Sequence, residues 1–221
     1  SPHSVGDTVG EALALAGEGR PGPTLVDLPK DVTLGDTDTE PGPAEPPETT
    51  RPQYVADDEN VEAAAAAVEA AERPLVLFGG GVIKADATEE ARSFARDLEI
   101  PVVTTMPGIG SFPEDDDLCL SWAGMHGTGY ANMAITHTDL LIAVGTRFDD
   151  RLTGGVDTFA PEAEVVHIDI DPAEISKNVH ADYPLIGDAG TVLDQLDDAV
   201  DAAPDADEWR EQCQTWKAEY P

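Results

Sequence analysis

Positive charge is what this chain has least of. Only 12 of its 221 residues are lysine or arginine, against 45 aspartates and glutamates, and the formal charge is −33 at pH 7. That balance excludes nucleic acid and anionic membrane surfaces as partners, because both would repel it. Lysine is almost missing, with Lys30, Lys84, Lys177 and Lys217 alone. An acidic surface with few long lysine stems suits a cytoplasm at molar salt, where the Debye length falls to about 3 Å and self-repulsion is screened. The composition therefore points to a halophilic, haloarchaeal source. Cysteine is scarce as well: Cys119 and Cys213 match no metal-binding or redox spacing and are expected to be reduced thiols in a cytoplasmic protein. No window nears the roughly 18 uncharged apolar residues of a membrane span, and residues 1–20 lack a basic start followed by an apolar run. What remains is a chain long enough to bury one substantial core, with appendages.

Taken in order, residues 5–18 carry apolar side chains at helical spacing, and Thr24 to Leu28 reads as a strand after the turn Gly19-Arg20-Pro21-Gly22-Pro23. One helix and one strand cannot cover their own apolar faces, so residues 1–34 are expected to be the end of a preceding domain. Residues 35–56 read as an extended linker, rich in Pro, Glu and Thr as far as Pro52. A second domain is expected over 57–203. It opens with an alanine-rich helix from Asn60 to Glu72, capped by Asp57 or Asp58. Strands follow at Leu75–Phe78, Pro101–Thr104, Leu140–Val144, Glu164–Ile168 and Pro184–Ile186, with helices over Thr88–Leu98, before Asp139 and over Thr191–Ala203. Residues 108–121 read as loop, and Asp169 to Ile175 as the entrance to a helical turn. Residues 204–221 are a charged tail, whose Trp209 and Trp216 mark a helical face that docks on the domain or on a neighbour.

Strands alternating with helices make an α/β fold with a parallel sheet, right-handed crossovers and helices on both faces. The run from Leu140 to Val144 is apolar throughout, as a strand buried on both faces requires. In such a sheet the carboxyl ends of the strands share one edge, where ligands bind. Four strand ends carry candidates: Gly79-Gly80-Gly81, Thr105 with Met106, the loop of Arg147 and Arg151, and Asp169. Two arginines in one loop of so acidic a chain either meet an anionic ligand or neutralise Asp149 and Asp150 beside them. The three glycines either let a ligand approach the backbone or make a plain tight turn, and their spacing departs from the Gly-x-Gly-x-x-Gly fingerprint. His126, flanked by Gly124, Met125 and Gly127, is either a ligand contact or a satisfied core residue. Asp169 can accept hydrogen bonds from sugar hydroxyls or cap the next helix, and capping suits Asp171 before Pro172.

Several ordered stretches resemble the large, catalytic subunit of acetolactate synthase, also called acetohydroxyacid synthase. They are Gly19 to Pro23 continuing through Val26-Asp27-Leu28-Pro29-Lys30-Asp31-Val32, Gly124 to Asn132, Asp139 to Gly154, and His167 to Ile175 with Lys177-Asn178. That family is thiamine-diphosphate dependent, with pyrimidine-binding, central and diphosphate-binding domains. The resemblance implies the end of the first, a linker and a Rossmann-like central domain, with a tail leading towards the third. It also implies FAD in this chain, held by Arg20, Gly79, Gly80, Gly81, Thr105, Met106, Met125, His126, Gly145, Thr146, Arg147, Asp149, Arg151, Asp169, Ile170 and Asp188.

By the same resemblance the full-length enzyme uses thiamine diphosphate and Mg2+ to decarboxylate pyruvate and join the remaining two-carbon unit to a second pyruvate or to 2-oxobutyrate, in branched-chain amino acid biosynthesis. The flavin takes no net redox part. A homodimer or tetramer is implied, with room for a regulatory small subunit. The glutamate that activates thiamine diphosphate and the Gly-Asp-Gly metal motif with its asparagine have no counterpart here, since Gly187-Asp188-Ala189-Gly190 departs from that motif. The expectation is that these residues alone show no carboligase activity and bind neither thiamine diphosphate nor Mg2+. The competing reading is a nucleotide-binding or interaction module of a protein like the oxo-acid decarboxylases.

Overall fold

Five successive side chains of Pro74–Phe78 can all be buried only when both faces of their strand are covered, and that is what the computed structural model shows. It describes residues 1–38 and 54–220. Residues 39–53 of the expected linker, and Pro221, lie outside the described residues. The chain forms two units, Ser1–Pro52 and Gln53–Pro221.

In the first unit α1 spans Val5–Gly17 and α2 spans Lys30–Thr33. None of its described residues is buried, and Leu13 and Leu25 are 59% and 90% exposed. The strand expected at Thr24–Leu28 does not form. A strand needs a neighbour to take up its backbone donors and acceptors. Here Thr24–Leu28 has none among the described residues, and the Thr24 hydroxyl donates instead to the Ala12 carbonyl at 2.9 Å.

In the second unit α3 (Asp58–Ala70) starts at Asp57, whose carboxylate accepts the Asn60 N–H at 3.4 Å. β1 (Pro74–Phe78), α4 (Gly80–Lys84), α5 (Thr88–Asp97), β2 (Val102–Thr104), β3 (Cys119–Trp122), α6 (Gly129–His137), β4 (Leu140–Val144), α7 (Asp150–Thr153), β5 (Glu164–Asp169), β6 (Tyr183–Ile186), α8 (Ala189–Ala199) and α9 (Asp207–Glu219) follow. The six strands form one parallel sheet in the order β3-β2-β1-β4-β5-β6. Successive side chains point to opposite faces. Val76, Phe78, Ile142, Val144, Val166 and Ile168 therefore join a core roofed by α3, α5 and α8. Leu75, Leu77, Leu141, Ala143 and Val165 join a second core under α6 and α9.

Two departures from the sequence reading matter for the site. The expected loop over 108–121 contains the start of β3, an edge strand whose pairing with β2 is bulged between Val102 and Thr104. Buried Ser121 takes φ +64° there, and a bulge of this kind breaks the alternation by which a strand is recognised. After Asp169 the chain makes turns rather than a helix. The unit also takes in Tyr54–Ala56 and α9, besides the 57–203 expected of the central domain. Trp209 is 4% exposed, and its indole N–H donates to the Pro74 carbonyl at 2.9 Å. Of the two docking alternatives for this helix, the domain itself is the one realised.

Candidate functional site

Strand order reverses between β1 and β4, since the chain leaves β1 for β2 on one side and returns to β4 on the other. Ligand crevices of open parallel sheets form at this point, beyond the carboxyl ends. Gly79–Gly81, Thr105, Met106, Met125, His126, Gly145–Arg147, Asp149, Arg151, Asp169, Ile170 and Asp188 all lie at or after such ends, so the topology brings them to one edge. Arg20 belongs to the other unit.

The loops after β1 and β4 are built against each other. The Gly79 N–H donates to the Val144 carbonyl at 2.8 Å, Gly81 N–H to Gly145 at 2.9 Å, and Gly145 N–H to Ile168 at 2.8 Å. A Cβ on Gly81 would lie 2.5 Å from the Gly145 Cα, and one on Gly145, at φ +59°, would lie 2.6 Å from the Gly81 Cα. Thus the room made by these glycines is filled by the chain itself. The glycine run leads directly from β1 into the short helix α4, with Gly79 as its N-cap and Gly80 and Gly81 as its first residues.

Beyond Gly145 the loop turns outward. Thr146 is buried, while the Arg147 side chain is 60% exposed. The N–H groups of Thr146 and Arg147 meet no acceptor among the described residues. Arg147 Nη2 lies 3.6 Å from Asp149 Oδ2, but both side chains are more than half exposed, and such a pair holds its members only weakly. Asp149 also caps α7 by accepting the Arg151 N–H at 3.2 Å. The exposed Arg151 guanidinium makes no ion pair among the described residues. Of the two readings of the arginines, mutual neutralisation describes only the loose Arg147–Asp149 pair.

On the other side of β4, His167 is fully buried and its Nε2 lies 2.9 Å from the Thr146 carbonyl. Burial holds the imidazole pKa below its ordinary value, against the opposite pull of that carbonyl, Asp169 and Glu174. Asp169 Oδ1 accepts the Asp171 N–H at 2.9 Å, and its carbonyl accepts the Gly187 N–H at 3.1 Å. Asp171 in turn accepts the Ala173 N–H at 2.9 Å, the capping bond expected of it, within a turn instead of a helix. Asp188 is the N-cap of α8.

After β2, Thr105 is buried and its N–H donates to the Phe78 carbonyl at 2.9 Å, whereas Met106 is 59% exposed. The loop after β3 leaves Met125 56% exposed and His126 exposed too, so His126 is no core histidine. Asn132 fixes this loop, accepting the Gly124 N–H at 2.8 Å and donating to the Gly124 carbonyl at 3.0 Å. The Met125 N–H reaches the Arg151 carbonyl at 2.9 Å, which ties the loop to α7. Asn132, His167 and Asn178 are the supports that reading for ligand contacts passes over, although each lies within or beside a stretch that carries the resemblance. Among the described residues no three His, Cys, Asp or Glu side chains gather as metal ligands would.

Residues 61–196 match the family described as thiamine pyrophosphate enzyme, central domain. The chain is 46% identical to the acetolactate synthase large subunit of Parasynechococcus marenigrum, over 100% of this chain and 36% of that protein. It is 49% identical to the probable acetolactate synthase large subunit of Methanocaldococcus jannaschii over 88% of this chain and 34% of that one, and 44% identical to the large subunit of Corynebacterium glutamicum over 100% and 36%. The chain thus spans about a third of the length of these relatives. With this sheet, and with a match over most of the sheet unit, the chain belongs to the thiamine pyrophosphate enzymes, whose central domain it contains.

Proposed function

We propose that the carboxyl edge of the sheet binds FAD, and that the chain is the central part of an acetolactate synthase that condenses two pyruvates, or pyruvate and 2-oxobutyrate, with loss of CO2. One observation carries the flavin reading. Where strand order reverses, two backbone N–H groups with no acceptor among the described residues, those of Thr146 and Arg147, adjoin an exposed guanidinium in a chain of charge −33.

That donor set fits a diphosphate. A planar guanidinium matches phosphate oxygens in pairs, and neighbouring N–H groups act as a fixed anion cradle. Arg151 adds positive charge in the same loop. Asp169 and Asp188 offer carboxylates to hydroxyl or amino donors of a ribose and an adenine, and exposed Met106 and Met125 offer apolar surface to a ring system. Arg20 enters the set by sequence match alone. When bound, the flavin takes no net redox part; the residues here hold and orient it.

Thiamine diphosphate and Mg2+ are assigned to the full-length enzyme, and these 221 residues alone are expected to make no acetolactate from pyruvate. We further infer a cytoplasmic, halophilic protein that assembles as a dimer or tetramer and accepts a regulatory small subunit. The similarity to synthase subunits supports the assembly, and the charge supports the salt adaptation.

The test is a ligand titration of the purified chain in molar KCl. Saturable quenching of FAD fluorescence, displaced by excess ADP, supports the reading. Selective binding of ADP or NAD with FAD left in solution contradicts it and favours a nucleotide-binding module outside the synthases.

A further inference from the structure

The imidazole of the fully buried His167 makes one hydrogen bond among the described residues, through Nε2 to the Thr146 carbonyl at 2.9 Å. A carbonyl only accepts, so Nε2 must carry the proton. Nδ1 has no partner among the described residues. A charged ring would bury a second N–H with nothing to receive it, whereas a neutral ring leaves only a bare acceptor there. The groups that face the imidazole are Asp169 on its own strand and Glu174 from the turn beyond it, and Glu174 is itself paired with Lys177 at 3.1 Å.

The bond has a consequence for the next residue. A trans peptide is planar, with its C=O and N–H antiparallel, and the chain contains no cis peptide among its described residues. Holding the Thr146 carbonyl inward therefore turns the Arg147 N–H away from the core. The peptide after Arg147 is held too, because Asn178 Nδ2 donates to the Arg147 carbonyl at 2.9 Å. Phe148, at φ +50°, packs its ring edge-on against the same imidazole at 4.9 Å. A left-handed aromatic residue persists only when its surroundings enforce it. Both carbonyls flanking Arg147 are thus tied, the first from the core by His167 and the second at the surface by Asn178, while its N–H turns away from the core and its side chain stays 60% exposed.

Resting on the reading of this edge as a flavin-nucleotide site, we propose that His167 is a positioning residue: a neutral imidazole, protonated on Nε2, that locks the Thr146–Arg147 peptide so that the Arg147 N–H meets a bound diphosphate. Its role is indirect, through the peptide it holds.

The test combines histidine 15N NMR of the chain with FAD titrations of the wild type, His167→Gln and His167→Leu, each checked for native circular dichroism. Gln can still donate to the Thr146 carbonyl; Leu fills the space without a donor. At neutral pH the His167 signals, assigned by their loss in His167→Gln, should be those of a neutral ring with a slowly exchanging Nε2 proton. FAD affinity should fall roughly tenfold or more in the Leu variant and be restored to within about threefold by Gln. A ring protonated on Nδ1, or a Leu variant that binds FAD as tightly as the wild type, overturns the proposal. If Leu fails to fold, the tautomer and the Gln affinity decide it. If the wild type binds no FAD, the flavin reading falls, and the tautomer with exchange of the Arg147 amide still judges the lock: rapid Arg147 exchange unchanged by His167→Gln supports it, and a Nδ1 proton refutes it.

Discussion

Asp139 and Arg73 grip each other at the amino edge of the sheet: the Asp139 carboxylate accepts the Arg73 N–H at 2.9 Å, while the Asp139 N–H donates to the Arg73 carbonyl at 3.2 Å. The second carboxylate oxygen takes the Glu72 N–H at 3.0 Å. Asp139 thus fixes the entrance to β1 against that to β4, at the end opposite the candidate site. Asp139→Ala should cost about 2–4 kcal/mol, since two donors lose a charged acceptor. Urea unfolding in molar KCl checks this, and FAD affinity in the folded fraction should be unchanged.

Stability should respond to pH through His167. Its folded pKa lies below the ordinary value of 6.5, because burial disfavours the charged ring. The unfolded chain therefore takes up a proton first as pH falls. The contribution is complete above about pH 6.5 and is lost as pH drops from there toward the folded value. Urea midpoints of the wild type and His167→Gln, measured at about pH 7.5 and about pH 5.5, should show the wild type losing more on acidification. Parallel losses would contradict a neutral buried ring.

Both thiols should be inert in the folded protein. Cys119 and Cys213 are each 1% exposed. Burial pushes the Cys213 pKa up to about 12, and burial is also the main cause that raises Cys119, against the Ser121 N–H. The reactive species is the thiolate. A thiol reagent at about pH 8 should label neither cysteine natively and both in urea. Labelling of either in the native state would mean that the sheet or α9 opens there.

Salt should hold the fold together. With 45 acidic residues and 12 basic ones, self-repulsion in dilute buffer acts over a Debye length of about 30 Å, against about 3 Å at molar salt. Circular dichroism should show helix lost on dialysis from molar KCl into dilute buffer and regained on return. An unchanged spectrum would remove the halophilic reading.

The parts of this fold that could be read from sequence are those where one physical demand dominates. β1 and β4 are apolar runs because both their faces are covered, and covered strands tolerate little else, whereas β5 is apolar only in part and buries His167. β3 was hidden because Cys119-Leu120-Ser121-Trp122 is short, bulged and at the edge. Thr24–Leu28 reads as a strand because pattern tells which residues can extend, and nothing about whether a neighbour pairs with them. The same limit applies at the site. The run Gly79-Gly80-Gly81 leaves open in sequence whether a ligand or the chain itself approaches it, and the fold decides for the chain, since Gly145 fills the space beside Gly81. His167 was visible as one letter of a motif, and the bond to Thr146 that gives it a task spans 21 residues of chain.

In the proposed site Arg147, held at the switch in strand order, receives the diphosphate of a flavin nucleotide. FAD titration of the wild type and Arg147→Met in the same molar KCl tests it most directly. Affinity should fall roughly tenfold or more in the variant, the worth of a charge-assisted hydrogen bond, with native circular dichroism retained. Equal affinity in the folded variant would contradict it.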